Sequence, residues 1–259
     1  MLLTSTDDKS LRENLNLIGL GSQIRNSDIL IKINLGRRYQ KNHPRTDMNL
    51  LRSVLTYIYE NGGKCAITEG CSGFLTENLI ASGFESTLKR YNVKVIDADL
   101  EECDEVVSYG EHHYIPKCFR DYPIRIAIPA TSKRDGMIFS NNAKLFFGAV
   151  PRKMYQLDDT AVPIGAPRPR LHQNLHLSVA NLFLAINDYS PFQFYVNGGL
   201  SYNENIGEFN FSECYIGNNA LELDLFMYHK YFSDCEYPNY LEILKSRLSA
   251  TDKYEIDNG

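Results

Sequence analysis

Basic and amide side chains concentrate in one short stretch of the sequence. Between Lys32 and the next acidic residue, Asp47, the chain carries Lys32, Asn34, Arg37, Arg38, Lys41, His43 and Arg45. The whole chain has a net charge of −5, so this positive charge is a local feature. Lysine supplies a compact charge and arginine a planar fork, and both suit carboxylate and phosphate groups. The stretch predicts an anion site with Lys32, Asn34, Arg37, Arg38 and Arg45 as its binding residues.

Residues 28–35 predict the β-strand that holds Lys32. Alternation places Ile29, Ile31, Ile33 and Leu35 on one face of the strand and Leu30, Lys32 and Asn34 on the other. A lysine in so apolar a run is costly unless something compensates its charge. The alternative is an edge strand whose lysine reaches solvent, with a solvated basic loop behind it.

A glycine-containing segment, Glu69-Gly-Cys-Ser-Gly73, follows the next predicted strand. Gly70 and Gly73 allow backbone amides to approach a ligand, and both are predicted to bind it. The spacing of a phosphate-binding P-loop is absent. Cys71 could be a nucleophile if a cation lowered its pKa, but no histidine lies nearby in the sequence. We therefore favour a buried, inert thiol.

Three side chains outside these segments are candidates for acid–base chemistry. Lys133 or Lys144 could polarise or deprotonate a reacting group, with Glu69 or His172 as the second partner. The alternative for Lys144, which precedes Leu-Phe-Phe-Gly148, is a surface group that extends to solvent. His172 and His176 lie one helical turn apart, but two histidines leave a metal site incomplete, so no metal ligands are assigned.

Strand and helix patterns alternate along the chain and predict an α/β fold. Strands are predicted at 28–35, 64–68, 93–96, 125–128, 194–196 and 213–216, and helices at 10–20, 46–61, 76–83, 85–91, 171–187, 220–232 and 238–248. This order favours a mostly parallel sheet flanked by helices, with ligands beyond the carboxyl ends of the strands. The loops at 36–45, 69–73 and 97–99 would then share one edge.

The chain is long enough for one compact α/β unit over 1–259 or for two lobes, 1–105 and 106–259. The lobe boundary is placed in the stretch 98–123, whose pattern is the least regular. Residues 151–170 contain four prolines and predict a long ordered loop that could serve as a lid.

The composition excludes several classes of protein. A pI near 5.7 argues against a nucleic-acid binder, and no apolar run approaches the roughly 18 residues of a membrane helix. The first residues lack the features of a signal peptide, so a cytoplasmic location is expected. The six cysteines form no C-x-x-C pair, which disfavours an iron–sulfur cluster or a zinc ribbon.

The order of motifs resembles the bacterial and archaeal family called domain of unknown function 362. The motifs that carry the resemblance are Lys32-Ile-Asn-Leu35, Thr46-Asp47, Glu69-Gly70 with Gly73, Ser82-Gly83, Val93-Lys-Val-Ile-Asp97, Pro129 through Lys144-Leu-Phe-Phe-Gly148, Asn197-Gly198, and Asn218-Asn-Ala220 through Asp224. Together they cover about residues 10–245. The resemblance adds Thr46, Asn197 and Asp224 to the ligand-binding residues.

This chain departs from the family's pattern at several positions. After Pro129 the family usually carries Lys-x-Lys-x-His, where this chain reads Ala130-Thr-Ser-Lys-Arg134. At two positions where the family has an acidic residue, this chain has Asn197 and Asn219. Where the family has a Lys-Asn pair, this chain has Lys144-Leu145. The cysteine-rich ferredoxin segments of many members are missing. A fainter similarity to the lactate racemase group, which holds a nickel-pincer cofactor through lysine and histidines, is an analogy only.

These observations support three hypotheses. The first is a cytoplasmic enzyme that isomerises a small carboxylate or phosphorylated metabolite, or transfers a group from it, with an undetermined cofactor. The second is a non-catalytic anion-binding protein or complex subunit, and the third is a metal-cofactor enzyme. The expected partner is a small anionic molecule rather than nucleic acid or a membrane. A protein partner or a second copy of the chain is also considered, because 17 tyrosines could serve a contact surface.

Overall fold

The structure is a computed structural model that describes residues 1–41, 43–158 and 162–256, with side chains up to residue 249. The strands are β1 (Leu2–Ser5), β2 (Asp28–Ile33), β3 (Lys64–Glu69), β4 (Lys94–Asp97), β5 (Cys103–Ser108), β6 (Glu111–Pro116), β7 (Ile124–Ile128), β8 (Ser132–Lys133), β9 (Phe194–Asn197), β10 (Leu200–Asn203), β11 (Gly207–Asn210) and β12 (Cys214–Gly217).

The α-helices are α1 (Asp8–Leu17), α2 (Leu20–Ile24), α3 (Met48–Glu60), α4 (Leu75–Ala81), α5 (Phe84–Arg90), α6 (Cys118–Asp121), α7 (Asn142–Leu145), α8 (Pro169–His172), α9 (Leu175–Tyr189), α10 (Ala220–Tyr231) and α11 (Asn239–Ile256). Short 3₁₀ helices cover Phe146–Gly148 and Arg152–Tyr155. Among these described helices, none is both long enough and apolar enough to cross a membrane.

Seven of the described strands form one sheet in the order β1-β12-β9-β7-β2-β3-β4. The run from β9 to β4 is parallel, and β12 and β1 add antiparallel strands at one edge. The prediction of a mostly parallel sheet flanked by helices is therefore confirmed. The sheet contains strands from residues 1–105 and strands from residues 106–259, the two lobes considered above.

Strand β2 lies inside the sheet, between β7 and β3. Ile29, Ile31 and Ile33 pack into the hydrophobic core that also contains α3, whereas Leu30 packs into the larger core on the other side of the sheet with α9 and α10. The predicted alternation of faces is confirmed. The alternative of an edge strand with an exposed Lys32 is wrong, because its side chain is fully buried.

The stretch 98–123 is more regular than the sequence pattern indicates. It contains an antiparallel hairpin of β5 and β6 and the short helix α6. His112 and His113 face opposite ways on β6, one exposed and the other buried, as their adjacency predicts. The strands β1, β8, β10 and β11 were not predicted, because a run of two to four residues is too short to show a hydrophobic pattern.

The helix predicted over 171–187 is broken between His172 and Leu175. Pro169 starts α8, and the side chain of Asn174 accepts a hydrogen bond from the Leu177 amide at 3.4 Å to begin α9. His172 and His176 therefore belong to different helices, and the prediction that one helical turn separates them is wrong.

Candidate functional site

A cavity of about 460 Å³ opens beyond the carboxyl ends of β2, β3 and β7. Its charged and ionisable lining side chains are Arg37, His43, Glu69, Arg134, Lys144, Arg168 and His172. Asn34, Gly70, Ser72 and Ser132 add polar groups, and Phe147 and Leu175 add apolar ones. The position matches the rule that open α/β sheets bind ligands at this edge.

The cavity wall is strongly cationic. Among the described lining residues there are three arginines, one lysine and one carboxylate, Glu69, and of the arginines Arg168 is paired with Asp99. The Glu69 carboxylate is already neutralised, because Lys32 forms a buried ion pair with it from β2. The wall therefore carries an excess of positive charge within a protein of net charge −5. Such an arrangement concentrates anions at the site.

Lys32 supports the cavity from beneath rather than lining it. Its ammonium is fully buried, pairs with Glu69 and donates a hydrogen bond to the carbonyl of Ile33 at 2.7 Å. Burial raises the pKa of Glu69, and the adjacent Lys32 charge opposes that rise. The compensation that an interior lysine requires is thus supplied within the sheet, by the end of the neighbouring strand.

Asn34 and Thr46 fix the loop that leaves β2. The Thr46 hydroxyl accepts a hydrogen bond from the backbone amide of Asn34 at 2.8 Å and donates one to the carbonyl of Ile128 at 2.5 Å. The side-chain oxygen of Asn34 accepts from the Gly36 amide at 2.9 Å. Asn34 lines the cavity, whereas Thr46 is buried behind it and ties the loop to β7.

The predicted basic residues of this loop divide into different roles. Arg37 is exposed at the cavity, whereas Arg38 pairs with Glu77 outside it. Arg45 does not line the cavity. Its guanidinium donates to the carbonyls of Gln40 and Lys41 at 2.8 and 3.0 Å and therefore holds the loop together.

Gly70 and Gly148 bring two walls of the cavity into backbone contact. A Cβ atom at Gly70 would lie 2.4 Å from the carbonyl oxygen of Gly148, and one at Gly148 would lie 2.9 Å from Oε1 of Glu69. Gly73 has a φ of +88° and lies beside Arg152, outside the lining. The thiol of Cys71 is buried, and burial raises its pKa, as expected for an inert cysteine.

Lys144 enters the cavity from α7. No described residue forms a hydrogen bond or ion pair with its side chain, and it is half-buried. Burial lowers the pKa of Lys144 to about 8. Burial lowers the pKa of both His43 and His172, and the Lys144 charge lowers each of them further. The ammonium of Lys144 therefore lies within electrostatic range of both rings.

The buried side chain of Asp224, on α10, positions the helix that carries Lys144. Its carboxylate accepts hydrogen bonds from the backbone amides of Asn142 and Ala143 at 2.9 and 3.0 Å. It also accepts one from the side-chain amide of Asn142 at 2.9 Å. Asn197 belongs to the same buried network and accepts from Asn142 at 3.2 Å. Asp224 and Asn197 do not line the cavity, so the structure places them behind the site as supports.

Lys133 points away from the cavity. Its ammonium pairs with Glu204 at 2.8 Å, and both side chains are largely buried. Its neighbour Arg134 lies at the cavity instead and contacts Nδ1 of His43 at 3.0 Å. Ser132 and Arg134, two residues apart, both line the cavity, whereas Lys133 between them does not; that alternation is the sequence signal that could have assigned Arg134 to the site.

The chain was compared with known proteins and protein families. A family model described as Domain of unknown function (DUF362) matches residues 29–228. The chain belongs to the DUF362 family. No curated protein and no solved structure matches it. The matched region contains every lining residue of the cavity, from Asn34 to Leu175.

The site of this DUF362 member also contains Arg168, which the sequence analysis missed. Arg168 is buried, donates to the carbonyl of Val150 at 2.7 Å and pairs with Asp99 at 2.9 Å. It belongs to the segment 151–170, which was predicted as a long ordered loop that could serve as a lid, and residues 159–161 of that segment lie outside the described residues.

Across the described part of the chain, no three His, Cys, Asp or Glu residues form a group that could hold a metal ion.

Replacing Lys144 with methionine in this DUF362 member is expected to raise the free energy of unfolding at pH 7 by about 1–2 kcal/mol, because a half-buried, unpaired ammonium is removed. The folded-state pKa of Lys144, about 8, lies below its ordinary value. The wild-type lysine therefore regains stability as the pH rises from about 8 to about 10.5, and the advantage of methionine shrinks over that window. Urea unfolding at pH 7 and pH 10 measures both effects.

Lys133→Met is the matched control. It leaves the largely buried carboxylate of Glu204 without its cation, so we expect a loss of about 1–3 kcal/mol instead of a gain. Equal destabilisation of the two variants would contradict the different environments assigned to the two lysines.

Proposed function

We propose that this DUF362 protein is an enzyme that binds a small carboxylate or phosphorylated metabolite in the cationic cavity and isomerises it or transfers a group from it. The observation that carries the proposal is the charge of the wall. Arg37, Arg134 and Lys144 face a cavity whose lining carboxylate is already paired with Lys32. A ligand that brings its own negative charge is the natural complement of that wall.

The proposed roles follow from the surroundings of each group. Arg37 is exposed and without a side-chain partner among the described residues, so its planar fork is free to bind a carboxylate or phosphate. Lys144 has a pKa of about 8, in the range where a lysine can give or take a proton near neutral pH. Glu69 or His172 would be the second acid–base partner.

A non-catalytic binding protein is the second candidate. The observation that favours it is the ion pair between Lys32 and Glu69, which occupies the one lining carboxylate. In that case the protein would bind the anion in the cavity and release it without chemical change. Mass spectrometry of a metabolite extract before and after incubation with the protein separates the candidates, because only an enzyme changes the bound compound.

Thermal unfolding with inorganic phosphate and with citrate tests the binding step that both candidates share. A ligand at about 100 times its Kd is expected to stabilise the protein by about 2.7 kcal/mol. Arg37→Ala is expected to weaken phosphate binding by roughly ten- to hundredfold, because a charge-assisted hydrogen bond is worth about 1.5–3 kcal/mol. Fluorescence-monitored melting curves at a series of phosphate concentrations give the affinities.

Arg38→Ala is the matched control for Arg37→Ala. The two arginines are neighbours in sequence and both are exposed, but Arg38 lies outside the cavity and pairs with Glu77. It is expected to change phosphate affinity less than about twofold. If neither phosphate nor citrate shifts the melting temperature, or if both variants lose the same affinity, the proposed anion site is wrong.

A further inference from the structure

Lys144 supplies a chemical group that anion binding alone does not use. Lys144 is the one lysine among the described lining residues of the cavity. No described residue forms a hydrogen bond or an ion pair with its side chain. Arg168, by contrast, is held by Asp99 and by the carbonyl of Val150. An arginine remains protonated in proteins, whereas a lysine amine can lose its proton and become a nucleophile.

The surroundings of Lys144 suit a nucleophilic amine. The side chain is half-buried on α7, between the buried residues Ala143 and Leu145, and Phe147 adds an apolar part of the cavity wall. Asp224 fixes the start of α7 and so limits where the amine can lie. With a pKa of about 8, about one molecule in ten carries the neutral amine at pH 7.

We propose that Nζ of Lys144 forms an imine with an aldehyde or ketone carbon of the anionic substrate. This inference rests on the proposed function and names its substrate class, which is a keto acid or a phosphorylated aldehyde or ketone. The neutral amine attacks the carbonyl carbon and forms a C–N bond, and one proton of the amine passes to the carbonyl oxygen. The resulting carbinolamine breaks its C–O bond and releases that oxygen as water with the second amine proton, which leaves a C=N bond to the lysine.

An imine at this position would support isomerisation. Once protonated, the C=N bond draws electrons from the neighbouring carbon, so a proton on that carbon can pass to a base while the C–H electron pair moves towards nitrogen. Glu69, which lines the same cavity as Lys144 and is paired with Lys32, would be that base. Return of the proton to the carbon skeleton, followed by hydrolysis with water, releases the product and restores the lysine.

Reductive trapping tests the proposal on the full chain. The protein is incubated with glyoxylate, pyruvate or pyridoxal 5′-phosphate at pH 7, and sodium cyanoborohydride supplies the hydride that converts each imine into a stable secondary amine. Peptide mass spectrometry then locates the adduct. We expect Lys144 to be labelled at least roughly tenfold faster than Lys9, whose side chain is 87% exposed, because the lowered pKa of Lys144 leaves part of its amine neutral at pH 7.

Two further measurements separate an imine site from general lysine reactivity. The rate at Lys144 is expected to rise with pH and to level off above about 8, following its lowered pKa. Inorganic phosphate is expected to slow labelling at Lys144 and leave Lys9 unchanged.

Lys144→Arg distinguishes this inference from the proposed function. The variant keeps a cation in the cavity, so phosphate is still expected to raise the melting temperature, while rapid labelling is lost. Phosphate binding without preferential labelling of Lys144 by any of the three carbonyl probes overturns the imine and leaves the anion site standing. Preferential labelling without any stabilisation by phosphate or citrate would instead overturn the anion site.

Discussion

Lys32→Met is expected to lower the free energy of unfolding by about 3–5 kcal/mol, the cost of leaving a buried charge without its partner. Lys32 is fully buried, and Glu69 is nearly so. Without the ammonium, Glu69 must either remain ionised in an apolar environment or take up a proton. Urea unfolding of the variant at pH 7 measures the loss.

The loss is expected to depend on pH in a defined direction. Burial already raises the pKa of Glu69, and removal of Lys32 removes the interaction that opposes this rise. A raised folded-state pKa means that stability is retained at low pH, where the carboxyl is protonated, and is lost as the pH rises through that pKa. The Lys32→Met variant should therefore lose more stability at pH 8 than at pH 5.

The double variant Lys32→Met/Glu69→Met is the control. Removing both charges leaves no unpaired group, and replacement of a buried ion pair by apolar residues is often neutral or stabilising. We expect it to regain most of the loss of Lys32→Met. A double variant as unstable as the single one would mean that the two side chains do not compensate each other.

Asp224→Ala is expected to lower the free energy of unfolding by about 2–4 kcal/mol, because it leaves two backbone amides without an acceptor in the interior and removes one of the two acceptors of the Asn142 side chain. Those donors belong to Asn142 and Ala143, at the start of the helix that carries Lys144. Denaturant unfolding gives the loss, and the labelling rate of Lys144 in folded protein reports whether the amine has moved.

Asn219→Ala provides the comparison on the same helix. The side chain of Asn219 caps α10 by accepting from the Glu222 amide at 3.0 Å, at an exposed position. Its loss is expected to cost about 1 kcal/mol and to leave the reactivity of Lys144 unchanged. If the two variants behave alike, Asp224 is an ordinary helix residue rather than the support of α7.

Hydrophobic periodicity was sufficient to predict six of the seven described strands of the sheet and most of its flanking helices. The alternation around Lys32 placed its neighbours on the correct faces, because β2 is long and strongly apolar. The hairpin of β5 and β6 was missed since acidic residues and histidines interrupt its alternation. The break between α8 and α9 was missed because Leu171 and Leu175 keep the helical spacing across it.

The sheet pattern predicted the cavity residues that follow a long strand, whereas Lys144 and His172 were candidates because of their side-chain chemistry alone. Asn34, Arg37, Glu69 and Gly70 come after β2 or at the end of β3, and the structure brings them together with Lys144 and His172. The role of Arg168 depends on its contact with Asp99, which is 69 residues away in the sequence. No local pattern encodes such a contact. Lys133 and Asp224 were predicted as site residues for the same reason, because their contacts with Glu204 and with the start of α7 also join residues that are far apart in the sequence.

The contact between Gly70 and Gly148 bears on how the site could diverge or be redesigned. Because the backbones of the two walls touch there, even one added methyl group would push the walls apart. The distance between the two main-chain segments that carry Glu69 and Gly148 is thereby fixed. New specificities would arise more readily at Arg37 and Met137, lining residues with exposed side chains that make no part of this glycine contact.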